Sequence, residues 1–121
     1  MKASDLFVQC LEAEGIEYIF GVPGEENADF MLSLEKSDKI QFILCRHEQG
    51  AAFMAEIYGR LTGHTAGCLG TLGPGATNLI TGVADSNMDR APILVLTGQG
   101  STDRLHKESH QIMDVVHTSM I

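Results

Sequence analysis

Four short apolar runs, separated by stretches of helical periodicity, constrain this chain more than any other feature. They fall at residues 16–20, 40–44, 66–72 and 92–97, the last containing Ile93-Leu94-Val95-Leu96. Strands that alternate with helices imply a parallel sheet, because a parallel neighbour is reached only through a long crossover. Right-handed crossovers then cover both faces of the sheet. The predicted fold is therefore α/β: a doubly wound, three-layer αβα domain with a mainly parallel sheet. The 121 residues suffice for one such domain.

The segments between the runs carry helix signals. Ala3, Phe7, Cys10 and Leu11 share one helical face, and Gly15 stands where a C′ glycine ends a helix. Residues 25–34 read as a second helix whose opening Glu25-Glu26 suits the positive end of the helix dipole. Residues 46–61 read as a third, residues 76–88 as a fourth after the tight turn Gly73-Pro74-Gly75, and residues 111–116 as a short last one.

In doubly wound sheets, ligands bind beyond the carboxyl ends of the strands. Those ends are Gly21-Val22-Pro23-Gly24, Arg46-His47-Glu48, residues 71–75 and Thr97-Gly98-Gln99-Gly100. Three of the four are glycine-bearing and let a ligand approach the backbone; each alone could equally be an ordinary turn. The remaining one supplies a carboxylate, Glu48, at a helix start. It could simply favour the dipole. Small residues follow it, however, and Ala51, Ala55 and Gly59 stack at i+4 spacing, a smooth face suited to close packing on a sheet or on another subunit. A carboxyl group at the root of so buried a helix would be desolvated, a setting for acid–base work. Spacing alone leaves both readings of Glu48 open.

Other classes are disfavoured. Eight Lys and Arg against sixteen Asp and Glu give a net charge of −8, the wrong sign for a nucleic-acid backbone or an anionic membrane surface. No apolar run approaches the ~18 residues of a spanning helix, and no secretory pattern opens the chain. Cys10, Cys45 and Cys68 show no C-x-x-C spacing, so reduced thiols in the cytoplasm are expected. No phosphate-cradling G-x-x-x-x-G-K-[ST] loop occurs, and in Gly73-Pro74-Gly75-Ala76-Thr77-Asn78 an asparagine takes the place of a dinucleotide fingerprint's third glycine. His106 and His110 have the i, i+4 spacing of metal ligands but lack a third ligand, and no metal site is expected in the chain.

Taken together, the strand-end motifs resemble a family. Phe20-Gly21-Val22-Pro23-Gly24, Arg46-His47-Glu48-Gln49-Gly50-Ala51-Ala52, Gly73-Pro74-Gly75-Ala76-Thr77-Asn78, Ala91-Pro92-Ile93 and Thr97-Gly98-Gln99 occur in order. This set is similar to the N-terminal pyrimidine-binding domain of thiamine-diphosphate enzymes, most of all to the acetolactate synthase large subunit. The resemblance runs from about residue 3 to residue 116. It implies that Glu48 is the catalytic glutamate that hydrogen-bonds the cofactor's aminopyrimidine ring and favours its imino tautomer, which activates the thiazolium carbon. It further implies that Val22, Pro23, Thr71, Pro74 and Asn78 line the pyrimidine pocket, and that Gln111 lies near the substrate.

The implied reaction is decarboxylation of pyruvate and its addition to a second 2-oxo acid. The family's diphosphate and Mg²⁺ are held through a G-D-G motif in another domain; no G-D-G occurs here, so the chain is expected to be inactive alone and to need a homodimer mate or other domains. FAD is possible in a full enzyme of this kind. The expected domain covers 1–121 and stops short at its C-terminal end, where residues 118–121 do not look like the family continuation. Two rival readings remain: a small subunit of a split thiamine-diphosphate 2-oxo acid decarboxylase, and a non-catalytic remnant that self-associates through the Ala51-Ala55-Gly59 face.

Overall fold

In a computed structural model, which describes residues 1–105 and 107–120, four strands form one all-parallel sheet in the order β2-β1-β3-β4. They are β1 (Tyr18–Gly21), β2 (Gln41–Leu44), β3 (Ala66–Gly70) and β4 (Ile93–Thr97). The helices are α1 (Ala3–Ala13), α2 (Ala28–Leu34), α3 (Glu48–Thr62), α4 (Pro74–Asp89) and the short α5 (Val115–Thr118). The three-layer α/β arrangement expected from the alternation is the one found.

Two apolar clusters sandwich the sheet. On one face Val8 and Leu11 of α1 and Leu34 of α2 pack with Ile16, Ile19, Ile40 and Leu69. On the other, Ala51, Ala52 and Ala55 of α3 and Leu79 of α4 pack with Cys45, Ala66 and Cys68. Where α3 meets its neighbours on the second face, side chains are cut to methyls and hydrogens: a Cβ on Gly82 would lie 2.5 Å from that of Ala52, and one on Gly59 would run into the Pro92 carbonyl oxygen. The Ala51-Ala55-Gly59 face is thus spent inside the chain, with both alanines fully buried. It offers no surface to a second copy, which removes the basis of the self-associating remnant.

Local departures from the predicted elements have physical causes. Ile16 does not start a strand; its N–H closes the end of α1 on the Leu11 carbonyl at 3.0 Å while Gly15 turns at φ 78°, so β1 begins at Tyr18. Residues 25–34 split into a 3-10 turn, Glu25–Asn27, and α2, because buried Asn27 folds back to accept the Gly24 N–H at 3.2 Å. Gly73-Pro74-Gly75 is less a turn than a helix start: Gly73 caps α4 at φ 60° and Pro74 occupies its first position. The helix expected at 111–116 is displaced to Val115–Thr118, since Gln111 adopts φ 53° and Asp114 caps the His117 N–H at 3.1 Å. Among the described residues, no helix is long and apolar enough to cross a membrane.

The sheet's winding prepares a cleft. Strands β1 and β3 are neighbours in register, Gly21 beside Leu69. From β1 the chain leaves toward α2 on one face, and from β3 toward α4 on the other. Adjacent strands whose exits diverge leave a crevice at their carboxyl ends.

Candidate functional site

Glu48 is the first residue of α3 and only 8% exposed. The helix starts there because His47 is extended and its ring nitrogen accepts the Gln49 N–H at 3.1 Å. Across the crevice, Asn78 on the second turn of α4 donates its amide N–H to Glu48 Oε2 at 3.0 Å. The other carboxylate oxygen, Oε1, faces Gly75, where a Cβ would come to 3.4 Å. A buried carboxylate is costly without a partner, and the asparagine supplies one while leaving one oxygen directed at a glycine wall.

Thr71, just past β3, sends its hydroxyl proton to Glu26 Oε2 at 2.7 Å. Its methyl lies against Gly75, whose absent Cβ would approach to 2.8 Å. This hydroxyl and the backbone around it hold the Glu26 carboxyl below its usual range. In the sequence Glu26 stands out only as a dipole-favouring residue; the one signal that singles it out further is its place just after a glycine-rich strand end.

Gln111 also reaches this rim. Its Cβ lies 2.8 Å from where a side chain on Gly73 would begin, so the left-handed Gln111 and the left-handed Gly73 are mutually fitted. Positive φ at a non-glycine residue is the type of strain that accumulates at functional sites. The structure thus brings Glu48, Asn78 and Thr71 together around Gly75, with Gln111 on the adjoining Gly73. Pro74 is exposed at the head of α4. Val22 is turned toward the alanine cluster, and its N–H extends the β1–β3 ladder to the Leu69 carbonyl at 3.1 Å. Pro23 is exposed in the turn beyond it.

Elsewhere, Glu56, Asp85 and Asp89 bring carboxylate oxygens within 4.8 Å of one another. Arg60 already supplies the cation there, 3.2 Å from buried Glu56 and 2.7 Å from Asp89. The three thiols are free, and burial pushes that of Cys68 up to about 12 and raises that of Cys45, which makes both poor nucleophiles. In the His106/His110 pair, His106 lies outside the described residues.

The sequence that builds this buried glutamate and its asparagine partner matches a known family. The profile described as "Thiamine pyrophosphate enzyme, N-terminal TPP binding domain" covers residues 1–118. The chain belongs to that family. It is 40% identical over 118 residues to acetolactate synthase 2, chloroplastic, of Nicotiana tabacum, covering 98% of this chain and 18% of that one. It is 45% identical over 116 residues to glyoxylate carboligase of Escherichia coli O157:H7 (95% and 20%). It is 41% identical over 120 residues to acetolactate synthase isozyme 2 large subunit of Escherichia coli K12 (99% and 22%). The chain therefore spans about a fifth of the length of the curated relatives it matches. It is a thiamine-diphosphate-binding domain of the acetolactate-synthase-like kind, and thiamine diphosphate is the cofactor that membership implies.

The residues present fit the pyrimidine half of that cofactor. That ring needs a buried carboxylate with an oxygen to spare, which Glu48 provides: its Oε2 is taken by Asn78 while its Oε1 faces Gly75.

Proposed function

We propose that this chain serves as the pyrimidine-binding domain of an enzyme that decarboxylates pyruvate and joins the product to a second 2-oxo acid. The observation that carries the reading is the Glu48 carboxylate, buried, anchored through Oε2 to Asn78 and presenting Oε1 to the glycine-walled crevice. When bound, thiamine diphosphate supplies the carbanion chemistry of its thiazolium ring. The chain's own contribution is proton management: Glu48 Oε1 holds a proton against a pyrimidine nitrogen in a site from which α3 and α4 exclude water. Asn78 keeps the carboxylate from rotating away, Thr71 and Val22 border the pyrimidine, Pro23 and Pro74 flank the opening, and Gln111 stands toward the substrate.

No phosphate cradle or G-D-G sequence is present, so the diphosphate, its Mg²⁺ and any FAD belong to other domains or to a partner chain in this reading. The chain by itself is then inactive, and its setting is a cytoplasmic homodimer or larger assembly. The 2-oxo acid class is supported by the relatives' names, since glyoxylate, like pyruvate, is a 2-oxo acid.

The test is Glu48→Gln in the cofactor-loaded enzyme, followed through exchange of the cofactor's C2 hydrogen with deuterium. Glutamine keeps the shape and still accepts from Asn78, so only the proton-holding oxygen is lost. Exchange falls by about 100-fold or more, the usual yield of a positioned acid–base group. Exchange at the wild-type rate would overturn the assignment.

A further inference from the structure

The Glu26–Thr71 pair joins segments 45 residues apart in sequence, and it spans the crevice between the exits of β1 and β3. Three glycines make room for it. A Cβ on Gly24 would fall 2.5 Å from the Thr71 Oγ1 and Cβ; one on Gly75 would fall 2.8 Å from the Thr71 methyl; one on Gly98 would fall 3.2 Å from the Glu26 Cβ. Gly24 and Gly98 follow β1 and β4, and Gly75 opens α4 after β3, so the segments leaving three strands meet on one hydrogen-bonded pair.

A threonine with its methyl against Gly75 and its hydroxyl toward Glu26 has a single staggered rotamer that satisfies both contacts. Gly75 is also the residue that Glu48 Oε1 faces. The orientation of Thr71 therefore sets the position of the wall against which the Glu48 oxygen works. With its proton committed to a carboxylate, the Thr71 hydroxyl turns only lone pairs to any other neighbour.

We propose that Glu26 is a positioning residue of the cofactor site: by accepting the Thr71 hydroxyl it locks the Thr71 methyl onto Gly75 and so shapes the pyrimidine wall beside Glu48. Glu26 itself is exposed and takes its hydrogen bond from Thr71, while Glu48 takes its own from Asn78, so Glu26 acts through Thr71. The inference rests on the pyrimidine-pocket reading above.

The experiment is a double-mutant cycle in the full-length, natively assembled enzyme, with thiamine diphosphate affinity measured by calorimetry. Glu26→Ala weakens binding about fivefold, the effect of one ordinary hydrogen bond. Because the residue is exposed, the Tm of the apo protein stays within a degree or two. Glu26→Gln, whose amide oxygen accepts the same hydroxyl, restores affinity to within twofold. Thr71→Val, which keeps the shape without the hydroxyl, loses as much as Glu26→Ala, and adding Glu26→Ala to it costs nothing more. An undiminished loss on the Thr71→Val background would show that Glu26 does not act through Thr71. A lowered Tm with unchanged affinity would reduce Glu26 to a structural tie. Either result overturns the proposal. Failure of the pocket reading shows separately, as unaltered C2 exchange in Glu48→Gln, and the Glu26 assignment then falls with it.

Discussion

Replacing Gly82 by alanine sets two opposed effects against each other. In an exposed helix the change is stabilising by about 1 kcal/mol, because alanine costs less backbone entropy. Here α4 meets α3 at that point, and the new methyl would lie 2.5 Å from the Ala52 Cβ and 3.1 Å from the Phe53 nitrogen. Carbon atoms pack at ~3.5–4.0 Å, so the helices must separate by an ångström or more, and overpacking of this kind costs ~1–3 kcal/mol. The separation also loosens Ala51, Ala52, Ala55 and Leu79, all buried on the same seam. The steric cost wins, leaving Gly82→Ala up to about 2 kcal/mol less stable than the parent. The reciprocal variant Ala52→Gly loses about 2 kcal/mol from helix propensity and one buried methyl. Combined, the two move the methyl from α3 to α4 and recover half or more of the summed loss. Urea unfolding followed by far-UV circular dichroism reads all four proteins. A Gly82→Ala variant more stable than the parent, or strictly additive losses in the double variant, would refute the close packing of the seam.

Two further outcomes follow from charges. The Cys68 thiol, raised from 9.0 to about 12 by burial, keeps its proton in the folded state while the unfolded chain gives its own up above pH 9. Its contribution is therefore complete below pH 9 and lost as pH climbs toward 12, so Cys68→Ala narrows the gap to the parent by about 1.4 kcal/mol between pH 8 and pH 10 in chemical denaturation. Arg60→Ala leaves Glu56, only 1% exposed, beside two other carboxylates without the cation that faces it, and the denaturation midpoint falls. Millimolar Mn²⁺ then raises the melting temperature of the variant and not of the parent, and an equal response from both would show that Arg60 does not fill the group.

Strand and helix order was legible because three of the four apolar runs end at a glycine and the fourth at Cys45-Arg46, and the burial of α3 followed from its alanines. Glu48 and Asn78 were picked out separately by motif, 30 residues apart, but their hydrogen bond depends on how α3 and α4 cross, which no local pattern encodes. Glu26 was invisible for the same reason: its partner is fixed by the β1–β3 register and not by anything nearby in sequence. Boundaries slipped where capping overrode periodicity, as at Ile16 and at Gln111, whose φ of 53° stops the helix that its apolar neighbours suggested.

The order β2-β1-β3-β4 leaves a rim on each side of the sheet, Gln41–Leu44 and Ile93–Thr97, with no charged side chain in either strand. Solitary sheet proteins blunt such rims with lysine, proline or a bulge to keep strangers from adding on. Both rims are short, four and five residues, and Pro92 stands directly before Ile93, yet neither strand carries a lysine, a proline or a bulge within it. An edge strand keeps half of its amide and carbonyl groups on its outer side, so these two rims are where an extended segment could add as a fifth strand. For anyone handling this chain in isolation, that makes its solubility a question of sheet edges before it is one of enzymology.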